Sequence, residues 1–209
     1  MSKKIAIIGG GGFAKEVIEV LLMNNDEVYG IFAQENSLNY NYFGYLDQLI
    51  TYKNSFDGVV LAIGAVNKTG IENRRKIIDF LKENSIDLIS VISPLATISK
   101  SVKIGNGSYV GHGVLISCDA KIDDNVVLNQ NAIIGHDTKI CENVSIAPQV
   151  FLGGGVKIEK DVMIGVGATI RQGITIGSNS SIGMRSIVVK NIKENSTVLH
   201  QISKVYRNI

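Results

Sequence analysis

From Ile98 to Val188 every sixth residue is a large aliphatic, with no gap: Ile98, Ile104, Val110, Ile116 and onward in the same register to Ile182 and Val188. Four residues after most of them comes a second small or β-branched side chain, as in Val102, Val114, Ala120, Val126, Ala132, Val144 and Val150. A period of six suits neither a helix at 3.6 nor a flat strand at 2. It suits a chain that turns a corner every six residues and repeats one inward contact each time. Each hexad predicts a short strand rich in Ile and Val, then a turn of Gly, Asn, Asp or Lys, as in Ile104-Gly105-Asn106-Gly107. Three such strands close a triangle, so one coil takes about eighteen residues, and successive coils pair as parallel strands about 4.8 Å apart. The expected architecture is a parallel β-helix whose aliphatics stack in files inside a prism.

Before Pro94 the pattern changes. Ile5-Ala6-Ile7-Ile8 is an apolar run ending in Gly9-Gly10-Gly11-Gly12-Phe13-Ala14, and Val17, Ile18, Val20, Leu21 and Leu22 follow at helical spacing. Further strands are expected over 27–32, 58–63 and 87–92, with a helix over 71–81. Alternation of strand and helix implies a small parallel α/β sheet. The boundary is placed near Ser93, giving domains 1–93 and 94–209. The glycine run fits G-x-G-x-x-A, with Gly9 for the tight turn, Gly11 for close backbone approach and Ala14 for helix against strand. Such a turn offers backbone N–H groups and a helix N-terminus to phosphate; a plain turn is the bland alternative. About ninety residues is short for a full dinucleotide site. A nucleoside diphosphate, as in a sugar nucleotide, suits this Rossmann-like domain better.

Composition narrows the picture. The chain has 209 residues and a formal net charge of +2, with no basic footprint for nucleic acid. It shows neither an apolar run long enough to span a membrane nor the pattern of a signal peptide, so a cytoplasmic protein is expected. Cys118 and Cys141 are expected to be free thiols without a role.

Candidate chemistry rests on the histidines. His200 lies in a polar tail, and His112 and His136 both stand two residues after an inward aliphatic, at turns expected to face outward. Only His136 is followed by an acid, in Gly135-His136-Asp137. An imidazole can take a proton from an amine or hydroxyl near neutral pH, and a carboxylate beside it can fix its tautomer. A solvated surface pair is the competing reading of the dipeptide alone.

Taken together, the opening Ile5 to Ala14, the segment Leu61-Ala62-Ile63-Gly64, the unbroken hexads, and Asn129 through His136-Asp137 resemble a sugar O-acyltransferase family. That family includes sialic acid O-acetyltransferases and N-acetyltransferases of nucleotide-linked 4-amino-4,6-dideoxy sugars. The resemblance covers nearly the full chain and implies that the β-helix is left-handed, a property spacing alone does not give. It implies an acetyl-CoA-dependent transfer to the 4-amino group of a UDP- or dTDP-linked sugar, without metal or covalent intermediate. His136 would be the general base and Asp137 its orienting partner. Gly9, Gly11, Gly12, Phe13, Ala33, Gln34 and Gly64 would hold the sugar nucleotide. Acetyl-CoA would lie between subunits of a homotrimer, near Gly154, Val166 and Met184.

The chain departs from the family in places. Ala33-Gln34-Glu35 stands where relatives often carry paired aspartates, and Ser145 stands where many have a second histidine, nine residues after the first. Of the common Gly-x-Pro-Ala-Lys tail only Lys204 survives, and the segment 68–73 looks inserted. Ser145 and Lys204 are nonetheless carried over as acetyl-CoA contacts. Three rivals stay open: a sialic acid or other sugar O-acetyltransferase, a non-catalytic sugar-nucleotide-binding partner of a biosynthetic enzyme, and a purely structural β-helix. A zinc enzyme of the hexad type would need three convergent histidines, and His112 and His136 belong to different sides of the prism.

Overall fold

The computed structural model describes residues 2–35 and 37–199. Three parallel strands, β1 (Lys4–Ile8), β2 (Glu27–Phe32) and β3 (Gly58–Leu61), form the N-terminal sheet in the order β2-β1-β3. Helices α1 (Gly12–Met23), α2 (Leu46–Tyr52) and α3 (Lys68–Glu83) connect and flank them. Every residue of β1 after Lys4 is buried, as expected for a central parallel strand covered on both faces. The expected fourth strand over 87–92 does not join this sheet. Leu88 makes a single bridge to Val59, after which Val91–Ile92 pairs with Tyr109–Val110 and begins the β-helix. The Ser90 hydroxyl donates to the Gly105 carbonyl at 2.8 Å, tying the segment to the coil above instead.

Helix α3 starts three residues before the expected 71. Asn67 caps it, its side chain accepting from the Gly70 amide at 2.9 Å, which satisfies one of the orphan donors of the first turn. The seemingly inserted 68–73 is therefore the opening of α3. Helix α2 was not anticipated.

From Val91 to Val198 the chain is a left-handed β-helix with three parallel sheets of seven, six and five short strands. The inward file is closed to solvent: Val110, Ile116, Leu128, Ile134, Ile140, Ile146, Leu152, Ile158, Ile164, Ile170, Ile176 and Ile182 are all buried, as are the i+4 partners from Val114 to Ala168. Each aliphatic sits on its copies one coil above and below, so dispersion contacts repeat along the axis.

The outward residues give each face its own character. One face carries Tyr109, Val127 and Ser145, buried beneath the N-terminal domain. The second carries Leu115, Ile133, Phe151 and Ile187, all exposed. The third carries Lys103, Lys121, Lys139 and Lys157 in direct register. These are called here the covered, apolar and lysine faces.

The corners share a feature of their own. At every sixth position from 107 to 185 the backbone adopts positive φ, between +55° and +70°. All but Gln149 and Arg185 in that file are Gly, Asn or Asp, the residues for which the left-handed region costs least. Gln149 is exposed, at φ +60°. Gln149→Asn should therefore stabilise the protein by about 0.5–1 kcal/mol, and Gln149→Val should destabilise it. Calorimetric melting checks the pair; equal midpoints would show that corner conformation is not a stability determinant.

Candidate active site

Two concave regions stand out, on different parts of the molecule. The first, about 710 Å³, lies at the C-terminal ends of β1 and β2 and is lined by Gly9, Gly10, Ala33 and Gln34 among others. Ligands of parallel α/β sheets bind at such strand ends. Gly9 has φ +127°, and a methyl group there would fall on the Ala62 carbonyl oxygen, so only glycine fits between β1 and the end of β3. Gly11 differs. It is the N-cap of α1 at φ −97°, no side chain caps the helix, and no atom lies within 4 Å of where its Cβ would be. Among the described residues no side chain caps the α1 N-terminus in a way that would compete with an anion. Gly12 opens the helix, and Phe13 beside it packs edge-on against Tyr109 of the covered face, with ring centroids 5.0 Å apart. A Cβ at Gly64 would sit 3.9 Å from Phe13, so Gly64 is part of the same neighbourhood.

The opposite wall went unread in the sequence. Asn73, Lys76, Ile77 and Phe80 come from α3, and Tyr45 from the start of α2. Their spacing of three, four and seven along one face of α3 was a usable signal. Lys76 is the one cation among the described residues lining this cavity, and Glu35 the one acid.

The second region is a groove of about 650 Å³ on the apolar face, lined by Phe151, Gly153, Gly154, Arg171, Gln172 and Ile187 among others. His136 stands beside it, at the corner between the apolar and lysine faces. Its ring is 65 % exposed, and Nδ1 lies 2.7 Å from Asp137 Oδ2. An ionised carboxylate only accepts, so Nδ1 carries the proton and the Nε2 lone pair is free. Asp137 occupies the positive-φ corner position, at φ +57°. A methyl group at Gly154 would fall on His136 Nε2. The imidazole thus lies against the Gly154 backbone one coil away, and among the described residues no group accepts from the Gly154 amide.

His112 does not face outward as expected. Its side chain is 25 % exposed, Nδ1 lies 2.7 Å from Ser93 Oγ and Nε2 3.7 Å from Glu19, in the seam between α1 and the β-helix. It has a carboxylate neighbour in space that its sequence lacks. Ser145 is a correction too. It is 2 % exposed and its hydroxyl donates to the Ala65 carbonyl at 3.3 Å, so the interdomain seam leaves it no open surface for a thioester ligand. Val166 and Met184 are exposed, at the corner between the covered and apolar faces, across the apolar face from His136 and Gly154. Lys204 and His200 lie outside the described residues.

Cys141 has a carboxylate 3.8 Å away in Glu159. Burial first, then Glu159 and Asp123, push its thiol upward, which disfavours the thiolate a nucleophile needs. Among the described residues no group of three His, Cys, Asp or Glu side chains is placed to hold a metal ion, and no helix is long and apolar enough to cross a membrane.

The two domains are joined by a polar seam at α3. The Arg74 side chain is fully buried and donates to the Ile63 carbonyl at 2.8 Å, the Asn125 carbonyl at 2.9 Å and Asn143 Oδ1 at 3.2 Å. Among the described residues its partners are all neutral, and burial lowers its pKa to about 10, so the guanidinium stays charged near neutrality. Arg75 pairs with Asp161 and Glu142, and Lys82 with Glu142.

Residues 4–89 match the PglD N-terminal domain, and residues 119–154 match the bacterial transferase hexapeptide, six repeats. No curated protein matches the chain by sequence. Among solved structures it is similar to a variant of perosamine N-acetyltransferase from Caulobacter crescentus in complex with CoA and GDP-perosamine, with a TM-score of 0.86, 28% identity, and 94% of this chain and 95% of that one covered. It is also similar to the acetyltransferase domain of PglB from Neisseria gonorrhoeae in complex with acetyl coenzyme A, with a TM-score of 0.81, 28% identity, and 94% and 96% covered. WeeI from Acinetobacter baumannii gives a TM-score of 0.82, 25% identity, and 93% and 95% covered.

Proposed function

We propose that this chain, which belongs to the hexapeptide-repeat superfamily of sugar acyltransferases, transfers the acetyl group of acetyl-CoA to the 4-amino group of a nucleotide-linked 4-amino-4,6-dideoxy sugar. The observation that carries this reading is His136, with Nδ1 held by Asp137 and Nε2 free, at the edge of a groove on the apolar face. The similarity to solved acetyltransferases in complex with CoA, one of them also with a nucleotide-linked sugar, supports it.

In this mechanism the sugar amine attacks the thioester carbonyl. His136 Nε2 takes the amine proton as the C–N bond forms. The Gly154 amide is placed to donate to the developing oxyanion, at no cost to the fold. Collapse expels the CoA thiolate, which recovers a proton from the imidazolium. Arg171, on the groove wall, supplies a cation for the phosphates of CoA.

The active site is shared between protomers. The cavity at Gly9 and Gly10 belongs to the domain packed on the covered face, whereas His136 stands at the corner opposite that face. A sugar held by one protomer therefore meets His136 of a neighbour. The exposed apolar file Leu115, Ile133, Phe151 and Ile187 is what a threefold assembly of prisms would cover.

Two measurements test the reading. Acetyl-CoA is incubated with UDP-, dTDP- and GDP-linked amino and hydroxy sugars, and one acetyl mass shift on an amino sugar is expected. A shift on a hydroxy sugar alone would make the protein an O-acetyltransferase. Sugar-nucleotide binding without turnover would leave it a non-catalytic partner. Second, His136→Ala and Gly11→Val chains are co-expressed and assayed at limiting sugar nucleotide. Random mixing restores about a quarter of the sites if each is built from two neighbours. No activity above that of the separate variants would reject the shared site.

A further inference from the structure

Arg74 occupies the apolar stripe of α3, in file with Ile71, Ile78 and Leu81, all of them buried. A charged group in such a place is costly to bury unless its donors are met. Hydrophobic residues of similar volume would hold two packed surfaces together without that penalty. Docking alone does not call for it either, since Arg75 and Lys82 already pair α3 with Asp161 and Glu142 of the β-helix. What distinguishes Arg74 is the direction of its donors. Two reach the β-helix, at the Asn125 carbonyl and Asn143 Oδ1, and one reaches back to the Ile63 carbonyl. Ile63 lines the cavity at the strand ends, one residue before Gly64 and two before Ala65, whose carbonyl is held by Ser145. The same helix presents Asn73, Lys76 and Phe80 to that cavity from its other side.

We propose that Arg74 is a positioning residue for the nucleotide cavity: its guanidinium clamps the Ile63 carbonyl to the β-helix and thereby sets both the 61–65 segment and the α3 wall. This rests on the reading of the cavity as a nucleoside diphosphate site. The planar fork meets three acceptors in fixed directions, which the ammonium of lysine cannot reproduce. Arg74→Lys keeps the charge and most of the volume but releases at least one anchor. Arg75→Gln cuts an ion pair of the same helix to the same corner and leaves Ile63 untouched, so it separates positioning from docking.

The test uses the full-length protein and two readouts. Calorimetry with UDP, dTDP and GDP should show the diphosphate that the parent binds held about tenfold more weakly by Arg74→Lys and within about twofold of the parent by Arg75→Gln. CoA affinity should be unchanged in both. Amide exchange of residues 61–65 without any ligand should be faster in Arg74→Lys and unchanged in Arg75→Gln. Equal effects of the two variants, or parent-like exchange and binding in Arg74→Lys, overturn the proposal. A parent that binds none of the three diphosphates rejects the nucleotide reading of the cavity, while the exchange comparison still decides whether Arg74 is the clamp.

Discussion

Replacing His136 by alanine should lower kcat by roughly a hundredfold or more, the usual range for losing a general base, with little change in melting temperature. The ring is mostly exposed and packs on the Gly154 backbone, not in the core, so its loss removes chemistry and leaves the fold intact. Asp137→Asn is the informative companion. Asparagine tolerates the left-handed corner at φ +57° as well as aspartate does, so the backbone should hold. The amide, however, can donate to Nδ1 and so favour the tautomer with its proton on Nε2, which blocks the base. A loss of at least tenfold in kcat is expected, with the acetyl-CoA KM near that of the parent. His112→Ala should do the reverse, costing about 1 kcal/mol of stability through its Ser93 contact with little effect on rate. Steady-state kinetics on the three variants decide it. Parent-like turnover by His136→Ala would remove its assigned role.

The two glycines of the turn are expected to separate cleanly. Gly11→Val should fold, because nothing lies within 4 Å of its Cβ and its φ is ordinary. The new side chain enters the space where a diphosphate would approach the α1 N-terminus, and sugar-nucleotide affinity should fall about tenfold or more, ~1.4 kcal/mol. CoA affinity should not move, since the groove beside Gly154 belongs to the other domain. Gly9→Ala should instead unfold the N-terminal domain more easily, by roughly 2 kcal/mol, from the overlap with Ala62 and a φ that L-residues rarely adopt. Titration calorimetry with each ligand, alongside thermal melts, reads both effects. Loss of CoA binding with the sugar nucleotide spared in Gly11→Val would reject the division of labour between the domains.

The prism was legible because each hexad states its own inward contact, and sixteen repetitions from Ile98 to Val188 average out local noise. Its corners were equally periodic: Gly, Asn or Asp stands at every sixth position from Gly107 to Asn179 except Gln149, in the turns that each hexad predicts. Face identity was also written in the chain, at three times the period. Tyr109, Val127 and Ser145 belong to one outward file, and Lys121, Lys139 and Lys157 to another. Reading Ser145 in that file would have put it under the N-terminal domain. The strand expected over 87–92 failed for a different reason. Local propensity favours extension at Val91 and Ile92 but carries nothing about which sheet supplies the partner, and Ser90 decides that through Gly105. The α3 wall of the cavity was hidden because the working positions of the helix interleave: Arg74 points to the seam, Ile78 to the core under the sheet, and Asn73 and Lys76 to the cavity.

The continuous file of corners also constrains how the gene can change in length. Inside the prism a single inserted residue would move every later inward aliphatic out of its file and carry residues such as Pro148, whose ring fixes φ near −65°, into a positive-φ corner. Such frameshifts of structure should be tolerated only if looped out at a corner. Duplicating or deleting a whole coil, by contrast, keeps each file in phase. It would raise or lower His136 by one rung against the N-terminal domain, about 4.8 Å, without rotating it to another face. The eighteen-residue coil is thus the natural unit of inheritance here, and the distance between the nucleotide cavity and the base is set in whole rungs.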